Sequence, residues 1–259
     1  MKLLCCLLLL VPFASAQTSS PAAAAAAAPQ ATVQPPTTEQ IAHMQKELQD
    51  WANLGRYGAA NAALPAPAPG ETRVVFMGDS ITDGWGRAHG VFFPGKPYIN
   101  RGISGQTTPQ MLVRFWPDVI ALQPKVVVIL AGTNDIAGNT GPSTPQMIKD
   151  NLMAMADLAT ANGIRVVLAS ILPAADYPWR PGTDPRAEIS ELNDWMRQYC
   201  AEKGYVYLDY YSAMVDSEQG LKANLAADGV VHPNAAGYAV MTPLAEKAIA
   251  EALQPKTQQ

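Results

Sequence analysis

Apolar residues recur at every third or fourth position from Thr38 to about Asn61, which is the period of an amphipathic helix. The apolar stripe of this helix consists of Ile41, Met44, Leu48, Trp51 and Leu54. A helix with one apolar face usually buries that face, so we expect the stripe to pack on the rest of the domain. The proline-rich run from Leu64 to Gly70 then interrupts regular structure.

After residue 70 the pattern changes to short β-branched runs that alternate with stretches of helix-forming composition. Unbroken apolar runs are typical of strands that are covered on both faces. We predict strands at Arg73–Met77, Tyr98–Asn100, Lys125–Leu130, Arg165–Ser170 and Tyr205–Leu208. The alternation predicts an α/β fold of three layers, α/β/α, with a flavodoxin-like, mainly parallel five-stranded sheet. Because ligands bind outside the carboxyl ends of such strands, we expect the chemistry in the loops that follow them.

The first 37 residues have a different composition. Met1 and Lys2 form a positive start, Leu3–Phe13 is apolar, and Ala14–Ala16 contains only small residues. This order predicts a cleavable signal peptide and export to the periplasm or the extracellular space. The alternative is an N-terminal membrane anchor, but the apolar run is too short for a permanent membrane span. The Ala-, Pro- and Thr-rich stretch Gln17–Thr37 is typical of a flexible tether.

The 259-residue chain is therefore predicted to have five parts. These are a signal peptide (1–16), a low-complexity tether (17–37), an N-terminal helix with a Pro-rich connection (38–70), the catalytic domain (71–255) and a tail (256–259). The formal net charge is −4, from 18 Lys and Arg against 22 Asp and Glu. Such a chain has no positive field to attract phosphate groups, so we expect no nucleic-acid partner. No pattern specifies an oligomeric state.

A glycine and two polar residues end the first predicted strand, in the tripeptide Gly78-Asp79-Ser80. The glycine lets the chain turn sharply, so that the serine can stand at the edge of the sheet with its own N–H facing the same space. A nucleophile would have this placement. The same tripeptide is equally consistent with a turn whose polar side chains cap the next helix.

Two more loops of interest follow the second and third predicted strands. Gly102 has a backbone N–H that no side chain shields from a ligand. Asn134, in Gly132-Thr133-Asn134-Asp135, places an amide beyond a central strand, where its NH₂ can donate to a developing oxyanion. Taken singly, each segment is also an ordinary turn between a strand and a helix.

A serine hydroxyl needs a neighbouring base that takes its proton. The chain has three histidines: His43 lies on the predicted N-terminal helix, His89 lies in a Gly-rich loop, and His232 directly precedes the last predicted helix. An acid, Asp228, lies just upstream of His232. His232 is therefore the preferred base. His89 is expected to be a solvated loop residue, and the alternative is that it lies at the rim of the site.

In this order and context, the four segments resemble the four blocks that define the SGNH hydrolases, also called GDSL-type esterases. Each motif alone is common, whereas the four together, over residues 72–253, are specific. The resemblance implies an esterase in which Ser80 is the nucleophile and His232 and Asp228 complete a catalytic triad. It also implies that no metal and no organic cofactor is needed.

The resemblance further implies an oxyanion hole formed by the N–H groups of Ser80 and Gly102 and by the side chain of Asn134. The chain departs from the family pattern at one point. Three residues separate Asp228 from His232, whereas the family usually has two. Either a bulge in this loop brings the two side chains together, or another group orients His232, such as a backbone carbonyl.

The expected substrate is a small-molecule or glycan ester with a short acyl group, and the O-acetyl groups of carbohydrates are the first candidate. Asp79 and Trp179 are predicted to line the pocket. Trp179 lies in the aromatic segment Pro173–Asp184, and the alternative is that it fixes a surface loop. The rival functions are a lysophospholipase or acyl-thioesterase type of lipid hydrolase, and a catalytically silent carbohydrate-binding module with the same fold.

Overall fold

The computed structural model describes residues 35–255, and its centre is a five-stranded sheet. The strands are β1 (Val74–Gly78), β2 (Tyr98–Gly102), β3 (Val126–Leu130), β4 (Arg165–Ala169) and β5 (Val206–Leu208). Their order is β2-β1-β3-β4-β5, and all neighbours are parallel. The predicted flavodoxin-like α/β fold is therefore confirmed. The predicted signal peptide, nearly all of the tether and the tail lie outside the described residues.

Helices cover both faces of the sheet. In chain order they are α1 (Thr38–Gln49), α2 (Gly58–Ala63), α3 (Ser80–Gly84), α4 (Thr108–Asp118), α5 (Thr133–Ile136), α6 (Pro145–Ala161), α7 (Arg186–Lys203), α8 (Tyr211–Met214) and α9 (Ala235–Leu253). Helices α4, α6 and α7 pack on one face, and α3, α8 and α9 pack on the other. None of the helices within residues 35–255 is both long and apolar enough to cross a membrane.

The central strands β1 and β3 lack polar side chains because each contributes to two cores. Successive side chains of a strand point to opposite faces of the sheet. In β1, Val75 and Met77 join the core beneath α4, α6 and α7, whereas Val74 and Phe76 join the core beneath α9. All five residues of β1 and of β3 are buried. Runs without polar positions are thus the expected signature of this central sheet.

The predicted strands agree with the observed ones to within one or two residues. The largest difference is at β2, which continues past Asn100 to Gly102. There the chain keeps its parallel register with β1 up to the pair Gly78 and Gly102. The last residues of β2 are polar, so a prediction that relied on apolar residues ended the strand too early.

The predicted long N-terminal helix is wrong in two respects. Helix α1 ends at Gln49, because the Asp50 carboxylate accepts the N–H groups of Leu54 and Gly55 (2.7 and 2.9 Å) and Asn53 adopts a left-handed conformation (φ 54°). The apolar stripe is also not core, since Leu48 is 79% exposed and Met44, Trp51 and Leu54 are exposed as well. The side chains that anchor this part of the chain are instead Ala52 and Tyr57, which are buried.

Candidate active site

Ser80 lies at the carboxyl edge of the sheet, where β1 turns into α3. Its hydroxyl Oγ is 2.9 Å from Nε2 of His232. As the first residue of α3, Ser80 also has a backbone N–H without an acceptor inside the helix. Asp79 caps the helix by accepting the N–H of Ile81 (2.9 Å). The tripeptide therefore serves as a helix cap and also presents a serine to a base, so the two interpretations of the sequence are compatible.

The loop at residues 226–234 holds His232 in position. Oδ2 of the Asp228 carboxylate accepts a hydrogen bond from Nδ1 of His232 (2.6 Å). Its Oδ1 accepts three successive backbone N–H groups, those of Val230, Val231 and His232 (2.9, 2.8 and 3.1 Å). The three-residue separation is thus accommodated by a turn around Asp228, and the two side chains meet despite the departure from the family spacing.

The contacts of Asp228 keep it ionised. Partial burial raises its pKa, but the hydrogen bonds from the Val231 and Val230 N–H groups and from His232 outweigh this effect and lower the pKa to about 2. A carboxylate beside Nδ1 favours the tautomer that carries its proton on Nδ1. The other nitrogen, Nε2, is then an acceptor for the Ser80 hydroxyl. Asp228, His232 and Ser80 thus form one chain of hydrogen bonds.

Asp79 is not part of the pocket wall, and this prediction is wrong. Its side chain is buried, because the residue turns inward to cap α3. Oδ1 has the N–H of Ile81 as a donor, whereas Oδ2 is buried without a partner among residues 35–255. Burial raises the pKa of Asp79 to about 6, although the Ile81 hydrogen bond and the proximity of His232 oppose the rise.

Asn134 is buried at the start of α5, directly after β3. Its Nδ2 donates to the carbonyl of Gln106 (3.0 Å), and its Oδ1 accepts Nδ2 of Asn139 (2.8 Å). Because Asn139 occupies the oxygen, the amide orientation is fixed, and the second hydrogen of Nδ2 remains for a ligand. Sequence reasoning missed Asn139, since it lies beyond the recognised motif.

Gly102 does not fit the role of an oxyanion donor, and this prediction is corrected. Its N–H already donates to Oδ1 of Asn100 (2.9 Å). The glycine is required for packing, because a Cβ at this position would collide with the backbone of Thr82 and Asp83. Three residues later, Gly105 lines the open pocket, and its N–H has no acceptor within the described part of the chain. A positive φ of 81° accounts for glycine there.

A buried arginine connects these loops. Arg114 of α4 donates to the carbonyls of Gly78 (3.0 Å) and Arg101 (2.8 Å), to the Gln106 side chain, and to Asp118 (3.0 Å). It thereby joins the end of β1, which leads to Ser80, to the end of β2 and the loop that follows. Its guanidinium has five donors in a fixed plane, which suits it to hold several carbonyls at once.

A pocket of about 780 Å³ opens beside these loops. Its lining includes Trp51, Asn53, Gly105, Gln110, Asn139 and Trp179. The ring of Trp179 lies 6.0 Å from the ring of His232 and stacks on Tyr177, and its Nε1 donates to Oδ1 of Asn139 (3.0 Å). The indole is therefore anchored and also lines the pocket. His89 is exposed in the loop after α3, and the histidine that contacts Ser80 is His232.

The geometry can support nucleophilic acyl chemistry. A hydroxyl touches a base, the base touches a carboxylate, and two backbone N–H groups and an amide are free to donate nearby. Within residues 35–255, no group of three or more His, Cys, Asp or Glu side chains is placed to hold a metal ion.

Two comparisons with known proteins agree with this arrangement. The model of the GDSL-like lipase/acylhydrolase family matches residues 76–240. A solved structure of a GDSL-like lipase from Bacteroides thetaiotaomicron is 46% identical to the chain, with a TM-score of 0.75, and the match covers 78% of this chain and 99% of that one.

More distant relatives carry other names. An acetylxylan esterase of Xylanibacter ruminicola is 24% identical over 222 residues, which are 72% of this chain and 45% of that protein. The chain thus spans less than half of the length of this relative. An uncharacterised lipoprotein of Bacillus subtilis is 24% identical over 176 residues, which are 60% of this chain and 71% of that protein.

Proposed function

Since this chain belongs to the GDSL-like lipase/acylhydrolase family, a family of serine ester hydrolases, we propose that it hydrolyses short-chain carboxylic esters through Ser80, His232 and Asp228. The observation that carries the proposal is the continuous hydrogen-bonded chain from the Ser80 hydroxyl through His232 to the Asp228 carboxylate. A hydroxyl is a poor nucleophile on its own, and this contact gives it a base at 2.9 Å.

In the proposed first half of the reaction, Ser80 Oγ attacks the ester carbonyl and its proton passes to His232 Nε2. The carbonyl oxygen of the tetrahedral adduct becomes an oxyanion. We assign its donors as the N–H groups of Ser80 and Gly105 and the free hydrogen of Asn134 Nδ2. Asp228 stays ionised and stabilises the imidazolium. The adduct then collapses, and the alcohol leaves with the proton that His232 returns.

The second half repeats these steps with water. His232 takes a proton from a water molecule as its oxygen attacks the acyl-enzyme, and the same donors hold the second oxyanion. Collapse of this adduct releases the carboxylic acid and returns the proton to Ser80. Every proton is thus transferred through His232.

The acyl group is proposed to be acetyl, carried on a carbohydrate. The relative from Xylanibacter is named an acetylxylan esterase, which connects similar chains with acetylated sugars. The polar lining of the pocket, with its amide and indole side chains, favours a polar alcohol over a long alkyl chain. A sugar hydroxyl meets that requirement.

Export is part of the proposal. The positive start, apolar run and small residues of positions 1–16 have the order of a cleavable signal. A relative of the chain is named a lipoprotein, a class of exported proteins. An exported esterase would meet polysaccharides in the periplasm or outside the cell.

The test is turnover of p-nitrophenyl acetate and p-nitrophenyl octanoate by the purified protein, with Ser80→Ala beside the wild type. We expect preference for the acetate and a loss of about 10⁴-fold or more in the variant. Ser212→Ala, which removes an exposed hydroxyl on α8, is the matched control and should keep full activity.

Three outcomes would change the assignment. Preference for octanoate would favour a lipid hydrolase. Equal activity of the wild type and Ser80→Ala would exclude Ser80 as the nucleophile. If no ester is hydrolysed but acetylated oligosaccharides bind, the chain is a carbohydrate-binding module that keeps the fold.

A further inference from the structure

The pocket beside Ser80 is built partly from a segment that precedes the catalytic domain. Residues 50–53 contribute Asp50, Trp51 and Asn53 to its lining. These residues lie outside the part of the chain that matches the family model, which begins at residue 76.

Hydrogen bonds attach this segment to the loop that follows β2. Gln106 Nε2 donates to the carbonyl of Ala52 (2.8 Å), and Gln110 Nε2 donates to the carbonyl of Trp51 (2.7 Å). The hydroxyl of Tyr57 donates to the carbonyl of Gly102. Because buried groups of the segment bond to the loop that carries Gly105, the segment has a fixed position relative to the reaction centre.

The hydrogen bond that attaches Trp51 uses its backbone, so its indole side chain is available to a ligand. Trp51 bonds to the loop through its backbone carbonyl, and the side chain is 44% exposed in the pocket. Trp179, from the loop after β4, is 40% exposed in the same pocket and is anchored beside His232. Two half-exposed indoles from distant parts of the sequence thus line the same cavity.

The other lining groups have a matching chemistry. Four carboxamides line the pocket, namely Asn53, Gln106, Gln110 and Asn139, against two charged side chains. One of the charged side chains, Asp50, uses both carboxylate oxygens to cap Leu54 and Gly55. Gln106, Gln110 and Asn139 already hydrogen-bond to other protein groups, whereas the exposed Asn53 side chain has no partner within residues 35–255. The indole faces can therefore receive the apolar C–H face of a sugar ring, and Asn53 can bond to its hydroxyls.

We propose that Trp51 and Trp179 form a subsite for the sugar rings of an O-acetylated oligosaccharide, with Trp51 determining specificity for glycan esters over simple esters. The proposal rests on the proposed function, because it concerns the alcohol part of the substrate at the same site. Neither Ser80 nor His232 lines the cavity of about 780 Å³, whereas Trp179 both lines it and lies beside His232. The cavity is therefore placed to hold the sugar rings next to the reacting ester, and its volume lies in the range of sites that bind larger ligands.

The first test measures kcat/KM for an acetylated xylo-oligosaccharide and for p-nitrophenyl acetate with the wild type and Trp51→Ala. We expect the ratio of the two values to fall about tenfold in the variant, mainly through KM for the oligosaccharide. Trp51→Phe keeps an aromatic face and should recover much of the ratio. The backbone carbonyl that accepts Gln110 is retained in both variants.

Trp116→Ala is the matched control, since this tryptophan is 59% exposed on α4 and does not line the pocket. Its ratio should equal that of the wild type. An unchanged ratio in Trp51→Ala would overturn the proposal. An equal loss on both substrates would also overturn it, because Trp51 would then act on the catalytic loops rather than on the sugar.

A binding experiment separates this proposal from the proposed function. Calorimetry with Ser80→Ala and with the double variant Ser80→Ala/Trp51→Ala measures the affinity for the acetylated xylo-oligosaccharide without turnover. We expect Kd to rise about tenfold in the double variant. This result would support the subsite even if the protein lacked esterase activity, whereas equal Kd values would exclude it even if the esterase activity were established.

Discussion

The loop at residues 226–234 and the turn at residues 78–80 each hold an aspartate near the Ser80 hydroxyl, but they shift its pKa in opposite directions. In the loop, Asp228 accepts three backbone N–H groups and His232, and its pKa falls to about 2. In the turn, Asp79 has one N–H donor and a buried oxygen without a partner, and burial raises its pKa to about 6.

The difference shows what makes an acid suitable to orient a histidine. Both side chains are aspartates near the same serine, so residue type does not distinguish them. Asp228 is partly exposed and surrounded by donors, which stabilise its charge. Asp79 has lost water without receiving enough hydrogen bonds in return. The number of donors and the access of water decide whether the pKa of a carboxyl group falls or rises on folding.

Of the substitutions that test this difference between the two aspartates, Asp228→Asn is expected to have the largest effect on activity. An amide at this position can donate to Nδ1 and select the tautomer in which Nε2 carries the proton, so His232 could not accept the proton of Ser80. We expect kcat on p-nitrophenyl acetate to fall by about 10⁴-fold, as for the equivalent change in a serine protease triad. Asp150→Asn, an exposed carboxyl on α6, is the control. A loss below about tenfold would show that Asp228 is not the orienting acid.

Asn134→Ala measures how much a neutral side chain contributes to turnover, for comparison with the charged Asp228. Loss of one oxyanion donor usually costs about 10²–10³ in turnover, so the effect should be smaller than that of Asp228→Asn. Steady-state kcat with p-nitrophenyl acetate is the measurement, and circular dichroism checks that the variant is folded. Asn162→Ala, at the exposed end of α6, should be silent. Turnover equal to that of the wild type would remove Asn134 from the site.

Asp79→Asn tests the raised pKa of the buried aspartate through its effect on the free energy of unfolding. The folded state holds the proton of Asp79 up to about pH 6, whereas an unfolded aspartate releases it near 3.8. The free energy of unfolding of the wild type should therefore fall relative to that of the variant as pH rises from 4 to 6. Above pH 6 the difference between the two proteins should stay constant.

The expected size of this loss is about 3 kcal/mol. Urea unfolding of both proteins at pH 4 and pH 8 measures it, and the Asn side chain keeps the oxygen that caps α3. Asp150→Asn should show no comparable change between the two pH values. A difference between wild type and Asp79→Asn that does not vary with pH would contradict the raised pKa.

The sequence was sufficient for the elements whose signal is local. Val74–Gly78 is apolar up to its terminal glycine and Val126–Leu130 is apolar throughout, and only a strand between two helical layers is expected to be so. The last helix begins directly after Asn234, whose side chain accepts the N–H groups of Ala236 and Gly237, and this start signal is local as well. Ser80, His232 and Asn134 follow from motifs, and the structure places them at one edge of the sheet.

Other features depend on what lies next to a residue in space. The stripe of α1 has the period of a buried face, but periodicity does not say whether a partner covers it, and Leu48 is exposed. Gly102 ends β2 and Gly105 lies in the loop that follows, yet the side chain of Asn100 accepts the N–H of the first glycine and not that of the second. Arg114 lies on the apolar face of α4, which is a signal that sequence reasoning passed over.

The sequence by itself determined the α/β architecture, the order of its elements and the candidate nucleophile and base, because periodicity and motifs are properties of neighbouring positions. Only the tertiary structure decided which N–H groups lack an acceptor in the described part of the chain, which of two aspartates has a raised pKa and which tryptophans share a pocket. Hydrogen-bond occupancy and desolvation arise from groups that are distant in the chain and meet only when it folds.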